Sequence, residues 1–421
     1  MKKTRFFTNV TAIAAAGAFA AMPAFAQTTE AQLQHLLRQL EAQQKTLAAL
    51  SQEVARLKKV QAQAKAAKQE TVAAAPKKMV KSGNEKVSLT LKGQVNRAVM
   101  VVDDGRQSEV FHVDNDFSST RFNLLAETKP KKDLKIGGHI EMELQSNASN
   151  KVTMTQSSTV SASLTERIVE VYFDSREFGR LTLGQGKMAS DGTSQSDLSG
   201  TGVIALSKIH ELAGDIAFRQ KGAAGTAGPT IDAVYSDMDG LSRTDRIRYD
   251  TPQFKGFQLS SSHGDGGEVD LALRHRATVD GIQTKAALAY TNSSSVDDRK
   301  QINGSVSVLF PVGLNLTFAS GTRDPDAAMP GDSDPMFWWG KLGWQTRILN
   351  LGKTSFSVDY GQADDLGAEG NAFESIGAAV VQRLDDYGME IFVSGRNYSL
   401  DQPGLDYHDV FAFVSGARVK F

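Results

Sequence analysis

The chain has 421 residues, a formal net charge of -1 from 47 basic and 48 acidic side chains, and no cysteine. That balance gives no general ground for a nucleic-acid partner, and without cysteine there is no disulfide framework. After the first few dozen residues no stretch reaches the ~18 consecutive apolar residues that a transmembrane helix needs.

Lys2, Lys3 and Arg5 precede an apolar run from Ala12 to Ala21, and "AFAQ" supplies small residues at Ala24 and Ala26. Residues 1–26 are therefore expected to be a secretory signal peptide cut after Ala26. An exported chain without cysteine must be held together by a core, an assembly or a closed sheet.

Residues 27–68 are rich in Ala, Gln, Leu, Glu and Lys, and from Thr29 onward they contain neither Pro nor Gly, which favours helix. Leu33, Leu40, Leu47, Val54 and Gln61 fall on one heptad position and Leu36, Gln43, Leu50, Leu57 and Ala64 on the other. A strict seven-residue repeat calls for partner helices, so the segment predicts a coiled-coil stalk of an oligomer. Residues 69–86 lose the leucines, break at Pro76 and Gly83, and read as a linker.

From 87 to 421 the period changes to two. Eighteen short alternating segments follow one another, among them "DIAFRQKG" and "TIDAVYS" after residue 213. Short links such as "KPKKD", "SREF", "VDG" and "PVG" alternate with longer ones at 103–117, 147–163, 187–213 and 322–334. Short turns on one rim and long loops on the other predict an all-β transmembrane antiparallel barrel of 16 to 18 strands.

The faces of the segments support a membrane barrel over a soluble sandwich. In "HIEMELQS", Ile140, Met142 and Leu144 oppose Glu141 and Glu143; in "DRIRYD", Ile247 and Tyr249 oppose Arg246 and Arg248. Leu271 and Leu273 oppose Arg274 and Arg276, and Met389, Ile391 and Val393 oppose Glu390 and Arg396. The apolar faces often end in aromatics, Phe310, Phe318, Trp344, Tyr290, Tyr360 and Phe421, as an interfacial girdle would. Arg97 breaks this pattern, because alternation from Leu89, Leu91 and Val95 places it on the apolar face.

Four stretches resemble the trimeric general porins of Gram-negative bacteria: "GQVNRAVMVVDDG" with "VDNDFSSTRFNLLAE", "FGRLTLGQG", "RYDTPQFKGF", and the final Phe421. The run Tyr249, Asp250, Thr251, Pro252, Phe254, Gly256 and Phe257 is the most specific of them. The resemblance implies a homotrimer of water-filled barrels in the outer-membrane lipid, each narrowed by the loop after the fifth strand, here 187–213. It implies loop carboxylates, Asp191 and Asp197, facing a wall of Arg121, Arg180, Arg246, Arg248, Arg274, Arg276 and Arg396. Fixed charges of opposite sign across a narrow pore orient water and dipolar solutes and disfavour apolar ones. It also implies that Phe421 is read by the barrel-assembly machinery, and no cofactor or metal is called for.

Two features depart from the plain general porins. The count of eighteen exceeds their usual sixteen strands, with the surplus expected at the hairpin Phe373 to Tyr398. The coiled coil resembles instead the N-terminal extensions of some substrate-selective trimeric porins, including phosphate and dicarboxylate channels. Together with the surplus of arginine on the later strands, this points toward small anions as solutes, with the stalk in the periplasm.

Two rival functions are weaker. An enzyme in the barrel needs a positioned nucleophile or acid pair with histidine, and His35, His112, His139, His210, His263, His275 and His408 are scattered without such a motif. A tether from the membrane to peptidoglycan would use the stalk but needs no arginine-lined lumen.

Overall fold

The structure, a computed structural model, describes Lys45, Gln52, Arg56 and residues 83–421 except 159–162, 223–226, 295–298 and 325–332. The expected signal peptide (1–26), the coiled coil (27–68) and the linker (69–86) lie outside the described residues, apart from helical Lys45, Gln52 and Arg56 and the turn at 83–86. The chain divides into two units after Met79, and the barrel belongs to the second.

The alternating segments close on themselves as sixteen antiparallel strands. The first is β1 (Ser88–Asp103), and the second is built in two pieces, β2 (Ser108–Asp114) and β3 (Arg121–Lys131). Then come β4 (Leu134–Gln145), β5 (Ser163–Ser175) and β6 (Gly179–Lys187). After a long loop follow β9 (Arg243–Asp250), β10 (Phe257–Gly264), β11 (Val269–Val279), β12 (Ile282–Ser293), β13 (Arg299–Leu309) and β14 (Leu314–Arg323). The wall finishes with β15 (Met336–Thr346), β16 (Thr354–Asp364), β17 (Ala372–Leu384), β18 (Met389–Gln402) and β20 (Val410–Lys420).

β20 pairs back onto β1 from Gln94↔Lys420 to Asp103↔Phe411. Phe421 completes that seam: its N–H donates to Gly93 O at 3.0 Å, and its carbonyl accepts from the Gly93 N–H at 2.9 Å. This pairing closes the sheet, so that neither its first nor its last strand is left as a free edge, the condition for a sheet to cross a bilayer. Alternation then sorts side chains by face, so that Leu271 and Leu273 are exposed on the outside while Asp270 and Ala272 are buried inside. Phe178, Phe254, Tyr387 and Phe421, all at the short-turn rim, are 65–71% exposed, which places them in a lipid-facing girdle rather than in a core.

The strand count corrects the expectation of a surplus hairpin at Phe373 to Tyr398, because those residues are β17 and β18 of the wall. The two extra segments are "DIAFRQKG" and "TIDAVYS". Among the described residues, this stretch contributes only β7 (Ala217–Gln220), β8 (Ala227–Thr230), which ends on the first residue of "TIDAVYS", and a helical turn at Ile231–Val234. β7 pairs with β8 and with β19 (Leu405–His408), which turns back antiparallel on the end of β18, so these strands form a small sheet off the barrel wall. The inward loop is accordingly longer than 187–213 and runs over 188–242.

Arg97 does stand on the outer face. The second strand breaks at residues 115–120, and beside that break the guanidinium reaches the carbonyls of Ser146 and His112. Nη1 donates to Ser146 O at 2.8 Å and lies 3.6 Å from the Asp114 carboxylate. A charge on the apolar face is thus met by a carboxylate and carbonyls at a gap in the sheet.

Inside, the barrel is not uniformly polar. Val203, Ile204, Ile209, Leu212, Phe218 and Tyr235 of the loop pack against inward residues of the wall. Phe337, Trp339, Phe373, Phe392 and Tyr398 of β15, β17 and β18 form the other half of that buried cluster. The loop therefore fills one side of the interior with an apolar core and leaves the other side to charged residues.

Candidate functional site

The loop is fastened strand by strand across half of the inner wall. Ser190 donates to Asp270 through both N–H (2.7 Å) and Oγ (2.6 Å). Thr193 O accepts from Ser305 Oγ at 2.6 Å, and the Leu198 N–H donates to Ser307 Oγ at 3.0 Å. Lys341 Nζ lies 2.6 Å from Asp197 Oδ1 and donates to Ala205 O at 2.8 Å, while Tyr398 OH donates to Leu212 O at 2.7 Å. These bonds run from β11 through β13 and β15 to β18.

The opposite wall, β3 to β6 with β9 and β10, stays open and charged. A cavity of about 800 Å³ there is bordered by His139, Glu141, Glu170, Arg180, Arg246 and Arg248. Next to it, a cavity of about 320 Å³ lies between Arg121, Arg167 and Arg243 of the wall and Lys208, Asp191 and Asp237 of the loop.

Most of these charges are tied in pairs. Glu170 meets Arg246 Nη2 at 2.6 Å, Arg180 Nη2 at 3.3 Å and His139 Nδ1 at 3.7 Å. Arg121 lies 3.8 Å from Glu141, and Arg248 lies 2.7 Å from Asp250. Gly186 of "GQG" makes room for this: a Cβ there would fall 2.8 Å from Glu170 Oε2 and 2.9 Å from Arg246 Nη2.

Lys187 Nζ, at the end of β6, lies 2.5 Å from Oδ1 of Asp191 on the loop, and Arg243, at the start of β9, lies 4.0 Å from the other oxygen. Burial alone would push the Asp191 carboxyl up, but Lys187 and Arg243 outweigh it and hold the group below the usual carboxylate range. Asp239 goes the other way: burial, then the charges of Asp237 and Asp191, push it well above that range.

The expected residues are thus spread over several environments. Arg121, Arg180, Arg246 and Arg248 border the open cavities, with Asp191 across from them on the loop. Arg274 and Arg276 border a third cavity with Lys285 of β12. Asp197 is turned to the wall by Lys341 and fastens the loop. Arg396, expected on the pore wall, is instead 1% exposed under the apolar core and paired with Asp359. Its inward direction follows the alternation, but the loop covers it.

The site expected from the sequence does not include Arg167, Glu170, Lys208 or Lys285, nor Glu143, which is named there only as a polar-face position. Arg167 could not be found by alternation, because a bulge between Glu166 and Ile168 turns it inward. There Nε donates to Glu141 Oε1 at 2.8 Å and Nη1 pairs with Glu143. Glu143 and Glu170 were legible as polar positions alternating with apolar ones; their role as arginine partners was not.

A family model for Gram-negative porins matches residues 11–402. No curated protein sequence matches the chain. Among solved structures, the anion-selective porin from Comamonas acidovorans is similar at 15% identity, covering 80% of this chain and 100% of its own, with a TM-score of 0.55. The outer membrane channel DcaP of Acinetobacter baumannii is similar at 14% identity, covering 81% and 99%, with a TM-score of 0.53. OmpT, an outer membrane protein of Vibrio cholerae, is similar at 12% identity, covering 82% and 100%, with a TM-score of 0.52. Identities this low speak to the fold alone. With the family model spanning nearly the whole chain over a closed barrel of sixteen strands, the chain belongs to the Gram-negative porin family, and its barrel is an outer-membrane channel.

Proposed function

We propose that the channel is a water-filled, homotrimeric pore through which small hydrophilic solutes diffuse passively, with a preference for anions. The observation that carries the preference is an imbalance of pairing. Glu141, Glu143, Glu170, Asp191 and Asp250 each have an arginine or lysine within the ion-pair limit. Among the described residues, Arg276 and Lys285 on the inner wall have no carboxylate within 4.0 Å. These five acids are held by cations, Asp237 and Asp239 of the loop are not among the described residues, and Arg276 and Lys285 are left over on the wall, so a mobile anion meets a favourable field beside those two cations.

In this reading the short-turn rim and residues 27–68 face the periplasm, the latter as a stalk within reach of peptidoglycan, and Phe421 serves barrel assembly. Proteoliposomes loaded with sugars and small carboxylates of graded size test it. Swelling rates should fall steeply with size and be higher for anions than for neutral solutes of equal size. Size-independent exclusion of all of them would refute the pore. Mass measurement of the detergent-solubilised protein should give three chains.

A further inference from the structure

Beneath the loop, on the side of the short turns, three cations share one inward face. β11 and β12 pair with Arg276 opposite Lys285 and Arg274 opposite Ala287. Like charges set directly opposite each other on one face of a sheet repel. Arg276 and Lys285 nonetheless have no carboxylate within 4.0 Å among the described residues. Asp197, whose charge acts on Lys285, is itself held by Lys341 at 2.6 Å.

These cations border a cavity of about 230 Å³ together with Gly192, Ser196 and Gln258. Two further donors there have no acceptor. Ser196 is 2% exposed and its Oγ has no partner, although its N–H donates to Ser305 Oγ at 2.9 Å. Arg274 Nη2 donates to Asp191 O at 2.8 Å, while the buried Nη1 has no partner. Leaving buried donors unsatisfied is costly unless something else accepts from them.

We propose that Ser196, Arg274, Arg276 and Lys285 form a subsite for a small tetrahedral dianion of the phosphate type, set in the wall of the pore. Four donor-bearing side chains line one cavity, which matches four oxygens arranged tetrahedrally better than the two oxygens of a carboxylate. The surplus positive charge matches a dianion better than a monoanion. At roughly 30 Å³ per water, the volume admits one such anion with several waters, so it is held without being sealed in. A weak site of this kind raises the local concentration of its ion and still lets it leave. The inference rests on the reading of the barrel as an anion-preferring channel and names the solute class of that pore.

The full chain in detergent, titrated calorimetrically with inorganic phosphate at pH 8, tests the subsite directly. Saturable binding is expected, weakened at least about tenfold in the double variant Arg276→Gln/Lys285→Gln and several-fold in Ser196→Ala. Lys221→Gln, which removes a cation outside the pore, should bind as the unaltered protein does. The double variant relieves a repulsion and should fold; its heat-modifiable gel mobility shows whether it has. Sulfate should compete with phosphate, and malonate should not at equal concentration. Malonate binding more tightly than phosphate would overturn the tetrahedral assignment, and equal phosphate affinity in the double variant would overturn the site. Potassium chloride current across a planar bilayer separates the two readings. No phosphate binding with an intact anion-selective current sinks the subsite alone, and phosphate binding without current sinks the channel.

Discussion

Arg396 and Asp359 meet at 2.5 Å with side chains 1% and 0% exposed, inside a barrel whose opposite wall is open and charged. Trp339 Nε1 donates to the same Asp359 oxygen at 3.0 Å, and Arg396 Nη1 donates to Ser375 Oγ at 3.0 Å. The pair holds β16 to β18 beneath the apolar part of the loop. Arg396→Met should leave a buried carboxylate without its partner and cost about 3–5 kcal/mol of barrel stability. Arg396→Met/Asp359→Leu should recover most of that loss, because two apolar side chains need no partners. Urea unfolding followed by gel mobility measures both; a double variant as weak as the single one would show that the pair is not the source of the stability.

The second fastening, Lys341 to Asp197, joins the loop to β15 at 2.6 Å, with Lys341 fully buried. Lys341→Met strands the Asp197 carboxylate and loses the bond to Ala205 O. Its single-channel current should be noisier than that of the unaltered protein, with a larger mean conductance, since the loop is freed on the pore side. A quiet current of unchanged size would mean that the serine and threonine bonds alone hold the loop.

Glu170 gathers Arg246, Arg180 and His139 around one carboxylate. Glu170→Gln removes the negative charge and leaves the guanidiniums facing the cavity. A unit charge acts on an ion ~4 Å away in water with about 1 kcal/mol, so the chloride-to-potassium permeability ratio should rise several-fold at low salt. The effect should shrink in molar salt as screening shortens to about 3 Å. A ratio that does not move would place the selectivity elsewhere in the pore.

Asp116, on the turn between β2 and β3, is pushed up to about 7, first by burial and then by the Glu211 carboxyl beside it. Lys208 and Gln145 act in the other direction. The group is neutral below about pH 7 and charged above it, so its ionisation disfavours the fold at pH 8, and that cost lifts as the pH falls. Lowering the pH from about 8 to 6 removes one negative charge beside Lys208 and Arg167. Chloride preference should therefore increase over that interval, and Asp116→Asn should abolish the increase. A pH response unchanged in Asp116→Asn would contradict the assignment.

Much of this was legible in the sequence, and what was not has identifiable causes. Period-two alternation and the contrast of short and long links give the barrel, its rims and its inner face, because a closed sheet imposes both on every strand. Alternation does not say what a strand pairs with. "DIAFRQKG" reads like a wall strand, yet only Ala217–Gln220 is extended, and it pairs with β8 and β19. Nor does alternation survive a bulge, which is how Arg167 came to face inward. Arg396 shows a third limit: its face was readable, but its burial depends on loop residues such as Ile209 and Tyr235 folding back from far along the chain.

Reversal potential across a planar bilayer, with purified protein in a tenfold gradient of potassium chloride, tests the central claim most directly. An open channel is predicted whose reversal potential has the sign of chloride permeating faster than potassium, moving toward zero in Arg276→Gln/Lys285→Gln. A channel that passes potassium faster than chloride, or no current at all, would contradict it.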